Sequence, residues 1–217
     1  MGSAGPAPRH PVGGHPALQK PGFWLAPGQT VGLFGGSFDP AHDGHQHVAD
    51  TARRRLGLDR ILWLVSPGNP LKGRPADLKR RVDSARRFAR GPSMIVTDIE
   101  ARLGSAYTID TLRALKARFP GVNFVWLMGA DNLNSLHRWR GWPQIMAEVP
   151  VAVIARPGAA LKSRFSPAAL RFARTRRRSE AASSLARTHA PAWLYLNAPL
   201  NFSSSTALRG GPPQTGR

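Results

Sequence analysis

Two histidines three residues apart, His42 and His45, follow a glycine pair in the stretch VGLFGGSFDPAHDGH that runs from Val31 to His45. At a helix start that spacing points both imidazoles the same way. There they meet backbone N–H groups without intrahelical partners and the positive end of the helix dipole. Such a place is suited to hold phosphate, and an imidazole N–H can donate to charge developing on it. Val31, Leu33 and Phe34 read as a buried strand leading in. Gly35 and Gly36 remove Cβ atoms where the chain must turn and come close to a ligand. Pro40 delays the helix, whose periodicity runs from about Gly44 through Val48, Ala52, Arg55 and Leu56. No Gly-Lys-Ser/Thr follows, and Gly32, Gly35 and Gly36 lack the spacing of a dinucleotide fingerprint. A strand–turn–helix junction with two surface histidines would be the better reading of a lone H-x-G-H.

Four further segments carry chemistry. In SPGNPLKGR, Pro67, Gly68 and Pro70 force a loop from which Lys72 and Arg74 extend cations. An ammonium there suits a phosphate; a basic surface loop explains the same spacing equally well. In RLGSAYTIDTL, Thr108 suits a helix N-cap, and the free N–H groups of that helix start suit a carboxylate. In GADNLNSLHRWRGW, Gly129 permits close backbone approach and Asp131 can take ribose hydroxyls or cap a helix. Trp139 and Trp142 offer indole faces for a heteroaromatic ring, although packing is the commoner use of Trp. In NFSSSTALRG, Ser204, Ser205 and Thr206 can reach phosphate oxygens and Arg209 adds a guanidinium fork, or the run simply caps a helix.

The elements that must position these groups alternate. Apolar runs lie at 31–34, 61–65, 94–98, 122–128, 151–155 and 193–196, with helical patterns near 45–57, 76–90, 108–118, 142–148 and 167–188. Strands apolar on both faces, separated by helices, predict an α/β fold: a Rossmann-like doubly wound parallel sheet in a single domain spanning 29–212. Ligands of such sheets bind beyond the carboxyl ends of the strands, where strand order reverses, and each segment above follows a strand. Residues 1–28 read as a disordered Gly/Pro-rich tail, with Phe23 and Trp24 packing on the domain, and 213–217 as a flexible C-terminus.

The chain has 217 residues, a formal net charge of +19 and no cysteine. Disulfides and thiolate metal sites are thereby excluded, and a cytoplasmic location is the expectation. After Pro150 the only acidic residue is Glu180, so the basic excess is greatest in the last third. That field attracts polyanions without defining a reaction. No apolar run is long enough to span a membrane, and the N-terminal stretch lacks a signal peptide's apolar segment.

The first segment resembles the GG[ST]FDPxHxGH signature of nucleotidylyltransferases, through Gly35, Gly36, Ser37, Phe38, Asp39, Pro40, His42, Gly44 and His45. Later segments are similar to the nicotinate-nucleotide adenylyltransferase branch. Pro67, Pro70 and Lys72 match its second loop, and Arg156 closes the fifth strand as in that branch. Tyr107, Thr108, Asp110 and Thr111 match its SYTxxT helix start, with Ala106 inserted after Ser105. Gly129, Asp131, Leu133 and Trp139 match GxDxL and the following W. Ser204, Ser205, Thr206 and Arg209 match [IL]SSTxIR, with Ser203 and Leu208 as departures.

The resemblance implies adenylyl transfer from ATP to nicotinate mononucleotide, giving deamido-NAD and pyrophosphate. It implies catalytic roles for His42, His45 and Arg209. It places ATP against Gly35, Gly36, Ser37, Phe38, Gly129, Asp131, Ser204, Ser205 and Thr206. It gives the mononucleotide to Lys72, Tyr107, Thr108 and Trp139, with Trp139 stacking on the pyridine. Mg²⁺ would be held mainly by the ATP phosphates, with no protein metal ligand. No specific nucleic acid and no membrane is implied as a partner, and a homo-oligomer is left open. Pantetheine-phosphate adenylyltransferases and cytidylyltransferases share the first signature, but neither accounts for the Tyr107–Thr108 segment and Trp139 together. A basic RNA-binding protein would account for the charge but not for five phosphate-facing turns.

Overall fold

All six apolar runs become strands: β1 (Thr30–Gly36), β2 (Arg60–Val65), β3 (Met94–Thr97), β4 (Asn123–Gly129), β5 (Val151–Ala155) and β6 (Trp193–Asn197). The structure, a computed structural model, describes residues 20–68, 76–155 and 163–197. Helices between the strands are α1 (Asp43–Leu56), α2 (Leu78–Phe88), α3 (Ile99–Arg102), α4 (Thr108–Arg118), α5 (Ala130–Ser135), α6 (Trp142–Glu148) and α7 (Pro167–Arg171). The strands form one parallel sheet in the order β3-β2-β1-β4-β5-β6, so the order reverses between β1 and β4. This is the doubly wound α/β arrangement expected from the alternation.

Successive side chains of a strand point to opposite faces, and here both faces are buried. Leu33, Leu62, Leu64, Trp126 and Met128 join one cluster, beneath α4 and α6. Phe34, Ile61, Trp63, Val65, Val125 and Leu127 join the other, beneath α1 and α2. At the amino edge of the sheet Asp59 fixes the start of β1: its carboxylate accepts from the Thr30 N–H and hydroxyl, both at 2.8 Å. Those bonds hold the Asp59 carboxyl below its ordinary pKa.

Three local expectations change. Residues 20–28 lie on the domain: Leu25 is buried, Phe23 stacks on Phe119 at 5.6 Å, and Arg102 donates to the Lys20 and Pro21 carbonyls. Trp24 does not pack; it is 71% exposed. The single helix expected over 167–188 is broken, because residues after α7 are drawn to the edge strand. The Trp193 indole donates to the Phe172 carbonyl and the Arg177 N–H to the Trp193 carbonyl, each at 2.7 Å. Two 3-10 segments, Ala173–Thr175 and Ser179–Arg187, replace the helix on either side. The RTRRR run is thus extended in part, which also separates like charges that one helix would stack. Among the described residues no helix is long and apolar enough to cross a membrane.

Candidate active site

Where β1 and β4 part at the carboxyl edge of the sheet lies a cavity of about 310 Å³. Its floor is Gly35, Gly36 and Ser37 from the end of β1 and Trp126 from β4. One wall is Ser66 and Gly68 after β2, with Glu100 of α3; another is Ala106, Tyr107 and Thr108 at the start of α4. Asn132, Arg138, Trp139 and Arg140 close the remaining side.

The glycine pair is explained by protein packing. Both glycines are still in β1, and a Cβ on Gly35 would stand 2.6 Å from the Trp126 ring, one on Gly36 3.0 Å from the Phe38 ring. Phe38 has φ of 48°, the one positive value among the described non-glycine residues. The conformation turns its ring inward, 1% exposed, between Phe34, Trp63 and His45. Such strain persists only where surrounding packing over-determines it. The Phe38 ring is therefore a core group and no surface for a ligand; Ser37 beside it lines the cavity.

His42 is the N-cap of α1 and His45 lies in its first turn, with ring centroids 3.8 Å apart and planes at 37°. The two rings do share one direction, as the spacing predicts. The His42 backbone N–H donates to Nδ1 of His45 at 3.2 Å. In the neutral ring that bond leaves the proton on Nε2. Phe38 stands against the His45 ring at 5.0 Å and restricts its orientation. Neither histidine belongs to the cavity wall. They sit on the α1 side of the sheet, and Gly35–Ser37 separate them from the cavity on the α4 side.

Of the other residues singled out in the sequence, Tyr107, Thr108 and Trp139 meet in the cavity. The N-cap of α4 is Tyr107, so Thr108 is the first helical residue rather than the cap. No side chain caps this helix; just before it the Ser105 hydroxyl accepts from the Tyr107 N–H at 3.1 Å and donates to Asp110 at 2.8 Å. Gly129 and Asp131 stand at the β4–α5 junction, but the side chain entering the cavity there is Asn132. Trp139 is half-buried, packed partly on the core; Trp142 lies edge-on to Phe172 at 6.0 Å. Lys72, Arg156, Ser204, Ser205, Thr206 and Arg209 fall outside the described residues.

Sequence reasoning passed over Arg81, Glu100, Arg138 and Arg140. Arg81, 2% exposed, donates to the carbonyls of Ser37, Ser66, Pro67 and Ala76, at 2.9, 2.6, 3.3 and 2.8 Å. It thereby ties the loops after β1 and β2 to the start of α2. Burial pushes its pKa down, and Asp39 and Asp77 oppose that. Nothing in LKRRVDSARRF separates Arg81 from its basic neighbours except a place beside Val82 and Ala85 on the apolar face. Arg140 covers the Tyr107 ring at 4.5 Å and stands 3.9 Å from Asp110.

The strand order, the cavity at its reversal and the helix-start histidines together define a class. A family model described as cytidylyltransferase-like matches residues 33–211, and the chain belongs to that family. Within it, the chain is one of the nicotinate-nucleotide adenylyltransferases. It is 67% identical over 184 residues to the "Probable nicotinate-nucleotide adenylyltransferase" of Caulobacter sp. (strain K31), covering 83% of this chain and 96% of that protein. It is 53% identical over 192 residues to the protein of the same name from Ruegeria pomeroyi, covering 88% and 90%. Plasmodium falciparum nicotinic acid mononucleotide adenylyltransferase, solved in complexes with APC and with NaAD, has the same fold. TM-scores are 0.62 and 0.64 at 18% identity, covering 83% of this chain and 82% of that one.

Proposed function

We propose that the chain transfers the adenylyl group of ATP to nicotinate mononucleotide, giving deamido-NAD and pyrophosphate in NAD biosynthesis. One observation carries this reading. A ring-sized cavity is bounded by the Trp139 indole and the α4 helix start, and only Gly35–Ser37 at the end of β1 stand between it and the paired histidines at the α1 helix start. A pyridine ring stacked on Trp139 would direct a carboxylate to the free N–H groups of α4 and its own phosphate towards Gly35–Ser37. ATP phosphates would lie along the start of α1, across that same floor, so the two reacting groups meet at the end of β1.

The attacking oxygen belongs to a phosphate already ionised near neutral pH, so no general base is needed. Rate enhancement then comes from in-line placement and from donors aimed at charge developing on the α-phosphate and leaving pyrophosphate. His45 would donate from Nε2, His42 would border the same helix start, and Ser204, Ser205, Thr206 and Arg209 would hold the outer phosphates. Lys72 would steer the incoming phosphate. When bound, Mg²⁺ neutralises triphosphate charge. Phosphate oxygens and water would supply its ligands. The partners are thus ATP and the mononucleotide, the compartment the cytoplasm, and no specific nucleic acid is required.

Pyrophosphate release from ATP tests the reading with nicotinate mononucleotide, nicotinamide mononucleotide and phosphopantetheine as acceptors, and with CTP in place of ATP. Turnover with ATP and a pyridine mononucleotide is expected. Release only with phosphopantetheine or CTP would overturn it.

A further inference from the structure

Among the described residues Glu100 is the one acidic side chain in the cavity wall, and it is 4% exposed. Its carboxyl takes a hydrogen bond from the Thr111 hydroxyl at 3.2 Å, its only side-chain partner among the described residues. Thr111 belongs to the first turn of α4, where the reading above places the carboxylate of the ring. The acid and the binding site for an anion therefore share one cavity.

The charges around Glu100 are committed elsewhere. On its own turn Asp98 and Arg102 pair with each other at 2.9 Å. On α4, Asp110 is held by Ser105 and Arg140. β2, packed under α3, has only Arg60, bonded to the Pro92 carbonyl at the far end of the strand. Arg138, Arg140 and Tyr107 face it from the other cavity walls, none within ion-pair distance. Burial, with no paired cation among the described residues, pushes the Glu100 carboxyl up to about 7 against the opposing bond from Thr111.

Two carboxylates close together in one cavity resist being ionised at the same time. The carboxyl on a pyridinium ring is the stronger acid of the two, so the proton goes to Glu100. We propose that Glu100 determines specificity: it must carry a proton when a carboxylated pyridine ring fills the cavity, and need not when the ring carries a carboxamide. Protonated, it donates an O–H towards the ring carboxylate; ionised, it accepts from the carboxamide N–H. The proposal rests on the ring occupying this cavity. It adds that binding of the acid, and not of the amide, takes up a proton.

Calorimetry on the full chain with a non-hydrolysable ATP analogue tests this, in two buffers of different ionisation enthalpy at about pH 8. Proton uptake for nicotinate mononucleotide should exceed that for nicotinamide mononucleotide by close to one proton; the shared phosphate cancels in the difference. The ratio of Kd for the acid to Kd for the amide should rise about tenfold per pH unit above neutrality. In Glu100→Gln, which keeps the acceptor for Thr111, the ratio should be flat. Equal uptake for both ligands in the unaltered protein overturns the proposal even if the variant fails to fold, and so does an unchanged slope in Glu100→Gln. Binding of neither mononucleotide overturns the cavity assignment and this proposal together. Binding of both with a flat ratio overturns this proposal alone.

Discussion

The His42 N–H occupies Nδ1 of His45 at 3.2 Å, and the role proposed for this ring is to donate to phosphate. Replacing it with Ala removes a preorganised donor, and kcat should fall by about a hundredfold to a thousandfold with the fold intact. Unchanged turnover in a folded His45→Ala protein would refute that role. Trp139 poses a different question, since its indole both lines the cavity and packs on the core. If the ring stacks on pyridine, a contribution of about 1–3 kcal/mol predicts that Trp139→Ala raises KM for the mononucleotide roughly tenfold. KM for ATP should change far less, and Trp139→Phe should recover part of the loss. A melting curve measured alongside separates this from unfolding. Both residues were singled out in the sequence by the strings they match. Glu100 and Arg81 were not: a buried carboxyl and a buried guanidinium are defined by partners distant in the chain, such as Thr111 and Ser66.

At the scale of elements, α4 and α6 are linked by Glu148, which meets Arg113 at 3.1 Å and Lys116 at 2.9 Å. Partial burial would raise its pKa, but the bonds from Lys116 and Arg113 prevail and hold it below the usual value. A depressed carboxyl stabilises the fold above its unfolded pKa, and the contribution is lost as pH falls through the folded one. Glu148→Gln should therefore destabilise by about 0.5–1 kcal/mol near neutrality, with no difference in strong acid. Chemical denaturation at several pH values reads this directly. Strand positions were legible because apolar runs buried on both faces leave a period-independent signal. The two short helices α3 and α5 carry too few residues to show a period, and the break after Phe172 depends on a bond to Trp193 twenty-one positions on.

For the molecule as a whole, a net charge of +19 acts on substrates that are both anions. Charge of one sign raises their encounter rate and is screened by salt. Raising ionic strength from about 0.05 to about 0.5 M should increase KM for both substrates while kcat changes less than about twofold. Stopped-flow binding or steady-state assays across that range decide it. A kcat that falls in step would locate the salt effect in the chemical step instead. The balance of charge was plain from composition, but how residues 20–28 join the domain was not. Phe23 finds Phe119 across the fold, while Trp24 beside it faces water.

The bonds made by Arg81 bear on how freely this sequence can vary. All four of its acceptors are main-chain carbonyls, and a carbonyl belongs to every amino acid. Descendants of this chain can therefore exchange the side chains at 66, 67 and 76 without loosening the loops, whereas position 81 has no substitute with the same five-donor fork. A library randomised at those four sites and selected for folding should keep diverse residues at the first three and return Arg at the fourth. Recovery of folded clones with varied residues at 81 would show that the loops hold their shape without it.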